Sequence, residues 1–90
     1  LTAKEIIAKI NGLSPSPGAW FMYKKTRFKI LKAQEVSQSG LSGITLDNKL
    51  TVACGKKAIK INEIQKEGKK ILKTEEFVAG YKIEKGERLF

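Results

Sequence analysis

The chain has no histidine and a single cysteine, Cys54, among its 90 residues. The first absence removes His-based acid–base catalysis, nucleophilic catalysis and metal ligation from these residues. The second removes any internal disulfide and predicts a reducing, cytoplasmic setting. Prolines are two, Pro15 and Pro17. Apolar runs are short: the longest, Ala19 to Tyr23, falls far below a membrane span. There is no signal-peptide pattern, no Walker motif and no G-x-G-x-x-G. Acidic residues number 9 against 18 Lys and Arg, and they show no paired-carboxylate arrangement. Cys54 sits in the alternating segment VACG and is expected as a small buried hydrophobe, not a nucleophile. No catalytic constellation, metal site or cofactor site is expected within these residues.

What is present suits one small folded domain over residues 1–90. Apolar content is 41% and charged content 30%, outside the disordered range. The net charge of +9 favours a polyanionic partner, nucleic acid before membrane, since no basic amphipathic helix is evident. The start at Leu1 is read as the edge of a piece cut from a longer chain.

The stretch LSPSPGAWF, Leu13 to Phe21, divides the chain. Its prolines fix φ and extend the serines before them, so a stiff corner is expected. Gly18 allows a tight turn, and Trp20 is expected as a core anchor. Before the corner, Thr2 and Glu5 form a T-x-x-E capping box, with Leu1 and Ile6 placed for a hydrophobic staple. Ile6, Ile7, Ile10 and Leu13 recur at helical spacing, which predicts a helix over about 3–11 with Gly12 at its C-terminal end.

After the corner the pattern turns to period 2. Strands are expected at Trp20–Lys24 and Arg27–Val36, with a turn at Lys25 and Thr26. In the second strand Phe28 and Ile30 share one face, and Leu31 and Ala33 the other. That slip predicts a bulge near Ile30 and Leu31. Ser37 to Gly43 reads as a loop. Ile44 and Leu46 read as a short strand, and Asp47-Asn48 as a turn. Leu50, Val52 and Cys54 alternate on the next strand. Ile59 and Ile61 are expected inward, with Ala58, Lys60 and Asn62 outward. Thr74 is expected to cap a short helix containing Phe77, Val78 and Tyr81 and ending near Gly80. The fold class is mainly β: a small closed or nearly closed barrel of five to six strands, with an N-terminal helix and a short C-terminal helix.

The basic residues supply the functional signal. Lys24, Lys25, Arg27, Lys29 and Lys32 fall within nine positions. Lys56, Lys57 and Lys60 form a second group, and Lys66, Lys69, Lys70 and Lys73 a third. Arg27 and Lys29 alternate outward from Phe28 and Ile30, and Lys60 from Ile59 and Ile61, so a stripe can follow phosphates. The candidate RNA-binding residues are Lys25, Arg27, Lys29, Lys57, Lys60 and Arg88. Only Tyr23 and Tyr81 are expected as exposed stacking groups, which favours a folded duplex over single strands.

The ordered set LSPSPGAWF, RFKILKAQ, LTVACGKKAIKINEIQ, GKK and EEFVAG resembles the C-terminal domain of the methionyl-tRNA formyltransferase family. The resemblance implies an OB-like Greek-key barrel that helps hold the acceptor arm of initiator methionyl-tRNA. It further implies an upstream Rossmann-like catalytic domain that uses 10-formyltetrahydrofolate, with no cofactor in this domain. A cytoplasmic, monomeric enzyme of translation initiation follows as the expectation. Two alternatives stay open: the same module in formyltransferases acting on small molecules or in formyltetrahydrofolate dehydrogenase, and a stand-alone OB-type RNA-binding protein.

Overall fold

The computed structural model describes residues 2–13 and 18–90. The Ser14–Pro17 part of the expected corner and the Leu1 half of the staple lie outside the described residues.

Helix α1 spans Ala3–Ile10. The Thr2 hydroxyl accepts from the Glu5 N–H at 3.1 Å, and the Glu5 carboxylate accepts from the Thr2 N–H at 2.8 Å. The backbone hydrogen bond from Thr2 holds the Glu5 carboxyl below its usual range. Both predicted halves of the capping box are therefore in place. Ala3 and Ile6 are buried against the sheet. The backbone N–H of Gly18 donates to Lys9 O at 2.7 Å, tying the far side of the corner to the last turn of the helix.

Five antiparallel strands follow: β1 Ala19–Tyr23, β2 Thr26–Val36, β3 Thr51–Ala53, β4 Ala58–Lys66 and β5 Ile71–Lys73. The order is β1-β2-β4-β3, and β5 pairs with the other end of β4. The sheet curls around one core, in the OB-like, mainly β class expected. Helix α2, Thr74–Gly80, closes it, and it ends at Gly80 as predicted.

The curl comes from two bulges. Ile30 pairs with Ile64, Lys32 with Glu63, and Ala33 with Ile61. Leu31 is thus the extra residue on β2, and Asn62 the extra residue on β4. The first is the slip predicted from the sequence. The second compensates for it, so both strands change phase together and the register is restored. Ile59 and Ile61 face the core on one side of the bend, and Ile64 on the other. Ala58, expected outward, is fully buried. The short β3 covers it, pairing Ala53 with Ala58.

Phe28 sits at the centre of the core and is fully buried. Its ring stacks on Phe21 at 5.2 Å between centroids, and meets Phe77 edge-on at 5.7 Å and Tyr81 at 5.5 Å. Strand β1, strand β2 and α2 thus share one aromatic cluster. Tyr23, expected exposed, is 7% exposed and lies 6.4 Å from Tyr81, itself half-buried. The cluster takes both rings that the sequence suggested for stacking.

Two threonines replace expected features. Lys73, not Thr74, is the N-cap of α2, and its N–H donates to the Glu76 carboxylate at 3.3 Å. Thr74 is buried one position further in, and its hydroxyl donates to Ile61 O at 2.6 Å. The expected Ile44–Leu46 strand is reduced to single bridges, Ile44 to Arg88 and Thr45 to Val52. The buried hydroxyl of Thr45 donates to Glu84 O at 2.7 Å and accepts from the Glu87 N–H at 2.9 Å. That pair of bonds fastens the C-terminal segment to the sheet. Leu89 is buried, while Phe90 reaches Phe21 only edge-on and stays 41% exposed.

Cys54 is half-buried, and burial pushes its thiol up from its ordinary value, which agrees with an inert thiol. At the predicted Asp47 turn, partial burial by itself would raise the carboxyl. Hydrogen bonds from the backbone N–H groups of Lys49 at 2.8 Å and Thr51 at 3.1 Å outweigh it, and the net shift is downward.

Thr74→Val should cost about 1–3 kcal/mol, because it strips the buried Ile61 carbonyl of its side-chain donor. Thr74→Ser should recover most of that in chemical denaturation. For Asp47, the folded carboxyl titrates below the unfolded one. Its contribution is complete above the unfolded value of about 3.9 and is lost as pH falls through the folded value. Asp47→Asn should therefore narrow the difference in melting temperature from wild type as the pH drops below about 4.

Candidate nucleic-acid interface

The burial of Phe28 and Ile30 commits their neighbours on β2 to the other face of the sheet. Arg27 and Lys29 are accordingly exposed. Strand β1 alternates in the same way: Ala19, Phe21 and Tyr23 are buried, and Trp20 and Met22 are exposed. The register sets Trp20 opposite Lys29 and Met22 opposite Arg27. On the third strand Gln65 lies opposite Lys29.

Trp20, expected in the core, is therefore a surface residue, 43% exposed. Its place follows from its partner strand: paired residues share a face, and Lys29 lies opposite in face to the buried Phe28 and Ile30. The expected turn at Lys25 and Thr26 would set Trp20 opposite Leu31, two positions along and on the same face. The turn is at Lys24 and Lys25, and it sets Trp20 opposite Lys29. Both turn lysines are left-handed, with φ of 49° and 66°, as a two-residue type I′ hairpin requires. The five apolar letters AWFMY hide which face is which. Pairing with β2, whose phase Phe28 and Ile30 fix, reveals it.

The indole is held in place. Gly18 has φ 92°, and a Cβ there would lie 2.5 Å from Trp20 Cη2. A glycine is thus required for the ring to fold back over the backbone. The Arg27 guanidinium lies 4.8 Å from the ring centre, and Lys29 Nζ lies 5.6 Å from it. Two depressions flank the ring. One, of about 220 Å³, is lined by Trp20, Arg27, Lys29, Gln65, Glu67 and Gly68. The other is lined by Lys9, Ile10, Gly12 and Gly18 among others, with Trp20 and Lys29 shared between the two.

The six candidate residues do not form one contact set. Lys25 is exposed at the hairpin tip, and Arg27 and Lys29 follow it on β2. Lys57 is exposed in a separate depression beside α1, together with Lys4, Lys56 and Glu35. Lys60 is half-buried past the bend, opposite Gln34 and Thr51. The Arg88 guanidinium donates to the carbonyls of Ser42 at 3.4 Å and Phe90 at 3.3 Å. It is thus engaged with backbone at the C-terminal end. Among the described residues the one ion pair is Lys32–Glu63, at 3.8 Å across the bend. Among the described residues no carboxylate forms an ion pair with the cations of the β1–β2 hairpin, although Glu67 lines one depression beside Arg27 and Lys29. Trp20, Lys9 and Gln65 join this face although the charge pattern did not single them out. The signal for Trp20 lay in its pairing with β2.

Two adjacent lysines in left-handed geometry are costly, at roughly 1–2 kcal/mol per residue. Lys24→Asn with Lys25→Gly should stabilise the chain by about 1 kcal/mol and raise its melting temperature by roughly 4–8 °C. An unchanged or lower melting temperature would mean that the tip does not hold this turn.

A family model described as formyl transferase, C-terminal domain, matches residues 1–82. The chain is 52% identical over 88 residues to methionyl-tRNA formyltransferase of Pelagibacter ubique, covering 97% of this chain and 28% of that protein. It is 41% identical over 86 residues to the enzyme of the same name from Cereibacter sphaeroides, covering 96% of this chain and 28% of that protein. It is 40% identical over 88 residues to the one from Bradyrhizobium diazoefficiens, covering 93% and 28%. The chain thus spans little more than a quarter of the length of these relatives. With its curled five-stranded sheet, its two helices and the match over residues 1–82, the chain belongs to the formyl transferase C-terminal domain family.

Proposed function

We propose that this domain holds initiator methionyl-tRNA for formylation, gripping the acceptor arm by its phosphates. The observation that carries the reading is the outward cation row of the β1–β2 hairpin, Lys25, Arg27 and Lys29, on a chain of net charge +9. A curved sheet with fixed cations suits a duplex recognised by shape and phosphate position. Lys57, Lys60 and Arg88 extend the candidate set toward the two ends of the barrel, with Arg88 the weakest because backbone carbonyls already engage it.

On this reading the formyl donor, 10-formyltetrahydrofolate, and the chemistry belong to a catalytic domain elsewhere in the parent chain. The contribution of the barrel is proximity and orientation: it brings the methionyl amine to that domain in one geometry. The names of the relatives, all methionyl-tRNA formyltransferases, support a tRNA substrate over a small molecule.

If about five cations meet phosphates, log affinity for a duplex RNA should fall with log salt with a slope of about −3 to −5. Changing Lys25, Arg27 and Lys29 together to Ala should flatten the slope by about 3 and weaken RNAs of different sequence alike. In the parent enzyme the same change should raise KM for tRNA more than it lowers kcat, since it removes binding shared by ground and transition states. Equal affinity and equal slope in wild type and triple variant would reject this face as an RNA site. The small-molecule formyltransferases would then be the better parents.

A further inference from the structure

Phosphate contacts do not explain the most unusual feature of this face. A large aromatic ring stands 43% exposed on the outer surface, against Gly18 and with two cations over it. Gly18 admits the ring to its position, and Arg27 and Lys29 hold it there. Its orientation is therefore set on folding, and a ligand need not order it. Cations stand on both sides: Arg27 and Lys29 in one depression, Lys9 and Lys29 in the other. The indole between them is 43% exposed, with both Arg27 and Lys29 over its ring. The first depression also offers an acceptor. The Gln65 amide Nε2 donates to Lys69 O at 2.9 Å, and among the described residues no donor engages its Oε1. The arrangement of cation, aromatic plane and cation matches one nucleotide with its two flanking phosphates.

We propose that Trp20 stacks one unpaired base of the bound RNA, with Arg27 and Lys29 on one flanking phosphate and Lys9 on the other. The inference rests on the reading that this face binds RNA, and it adds a contact that duplex tracking does not need. An unpaired base is required because a paired one presents no free π-face except at a helix end. An amino-bearing base suits the Gln65 Oε1.

The test uses three RNA hairpins of one stem sequence: one with a single bulged adenosine, one with an abasic residue at the bulge, and one with no bulge. The bulged and abasic hairpins carry the same phosphates. Binding to the 90-residue chain is followed by anisotropy of labelled RNA at one salt concentration, with the salt slope measured for each. The adenosine bulge should bind about tenfold more tightly than the abasic one. Trp20→Leu should abolish that preference, so that it binds the bulged and abasic hairpins alike. Trp20→Phe should retain part of the preference. Equal affinity of the bulged and abasic hairpins for wild type would overturn the proposal and leave phosphate tracking intact. So would a preference that survives in Trp20→Leu. If Trp20→Leu lowers the melting temperature and all binding together, Trp20→Phe decides, since a folded Phe variant without the preference also overturns it. Adenosine monophosphate binding as tightly as the bulged hairpin would replace RNA with a free nucleotide. Failure of every hairpin to bind with salt-dependent affinity would overturn the RNA reading itself.

Discussion

The ring of Phe28 is the point on which the structure turns. It is buried from every side, and its three aromatic neighbours come from β1, α2 and the residue that follows α2. Aromatic pairs of this kind add to the area they bury, so the cluster holds the C-terminal helix to the sheet as well as filling the core. A strand has no freedom to point neighbouring residues the same way. Once Phe28 is committed inward, Arg27 and Lys29 are committed outward. The core and the cationic face are thus one decision, taken along a single strand. The same cluster buries Tyr23 and half-buries Tyr81, and Trp20 is left as the exposed ring of the hairpin.

Much of this was legible in the letters. The capping box of Thr2 and Glu5 is a local signal that tertiary structure had no cause to override. The bulge at Leu31 showed as a break in alternation, because both faces of β2 carry unambiguous residues. What escaped was non-local. The compensating bulge at Asn62 leaves a break too, the odd step from Ile61 to Ile64, but the polar pair Asn62 and Glu63 between them reads equally as the end of a strand. Thr74 was read as a cap because its hydroxyl suits one. The bond that it makes, to Ile61 across the sheet, depends on a neighbour 13 positions away. Trp20 was misplaced because burial statistics for a large ring are strong and AWFMY has no polar residue to set the phase.

The candidate site was half legible for the same reasons. The lysine-rich hairpin stood out in composition, and its outward alternation followed from Phe28. The wider set of six did not gather into one patch. The bend that gives the barrel its shape also parts Lys57 and Lys60 from the hairpin, and the C-terminal segment engages Arg88. Charge runs report how much positive potential a surface holds. They do not report which charges share a face, and here the bulges decide that.

The paired bulges constrain how the length of this chain can change over descent. Leu31 and Asn62 each add one residue to a different strand, and each undoes the phase change of the other. Losing either alone would rotate half of a strand by one face, turning Lys32 or a neighbour toward the core and an apolar residue toward solvent. Losing both would keep the register and flatten the sheet. Insertions and deletions at the bend are therefore tolerable only in matched pairs, on two strands about thirty positions apart in the sequence. A family alignment should show gaps there that co-vary, where each strand taken alone would seem merely intolerant of them.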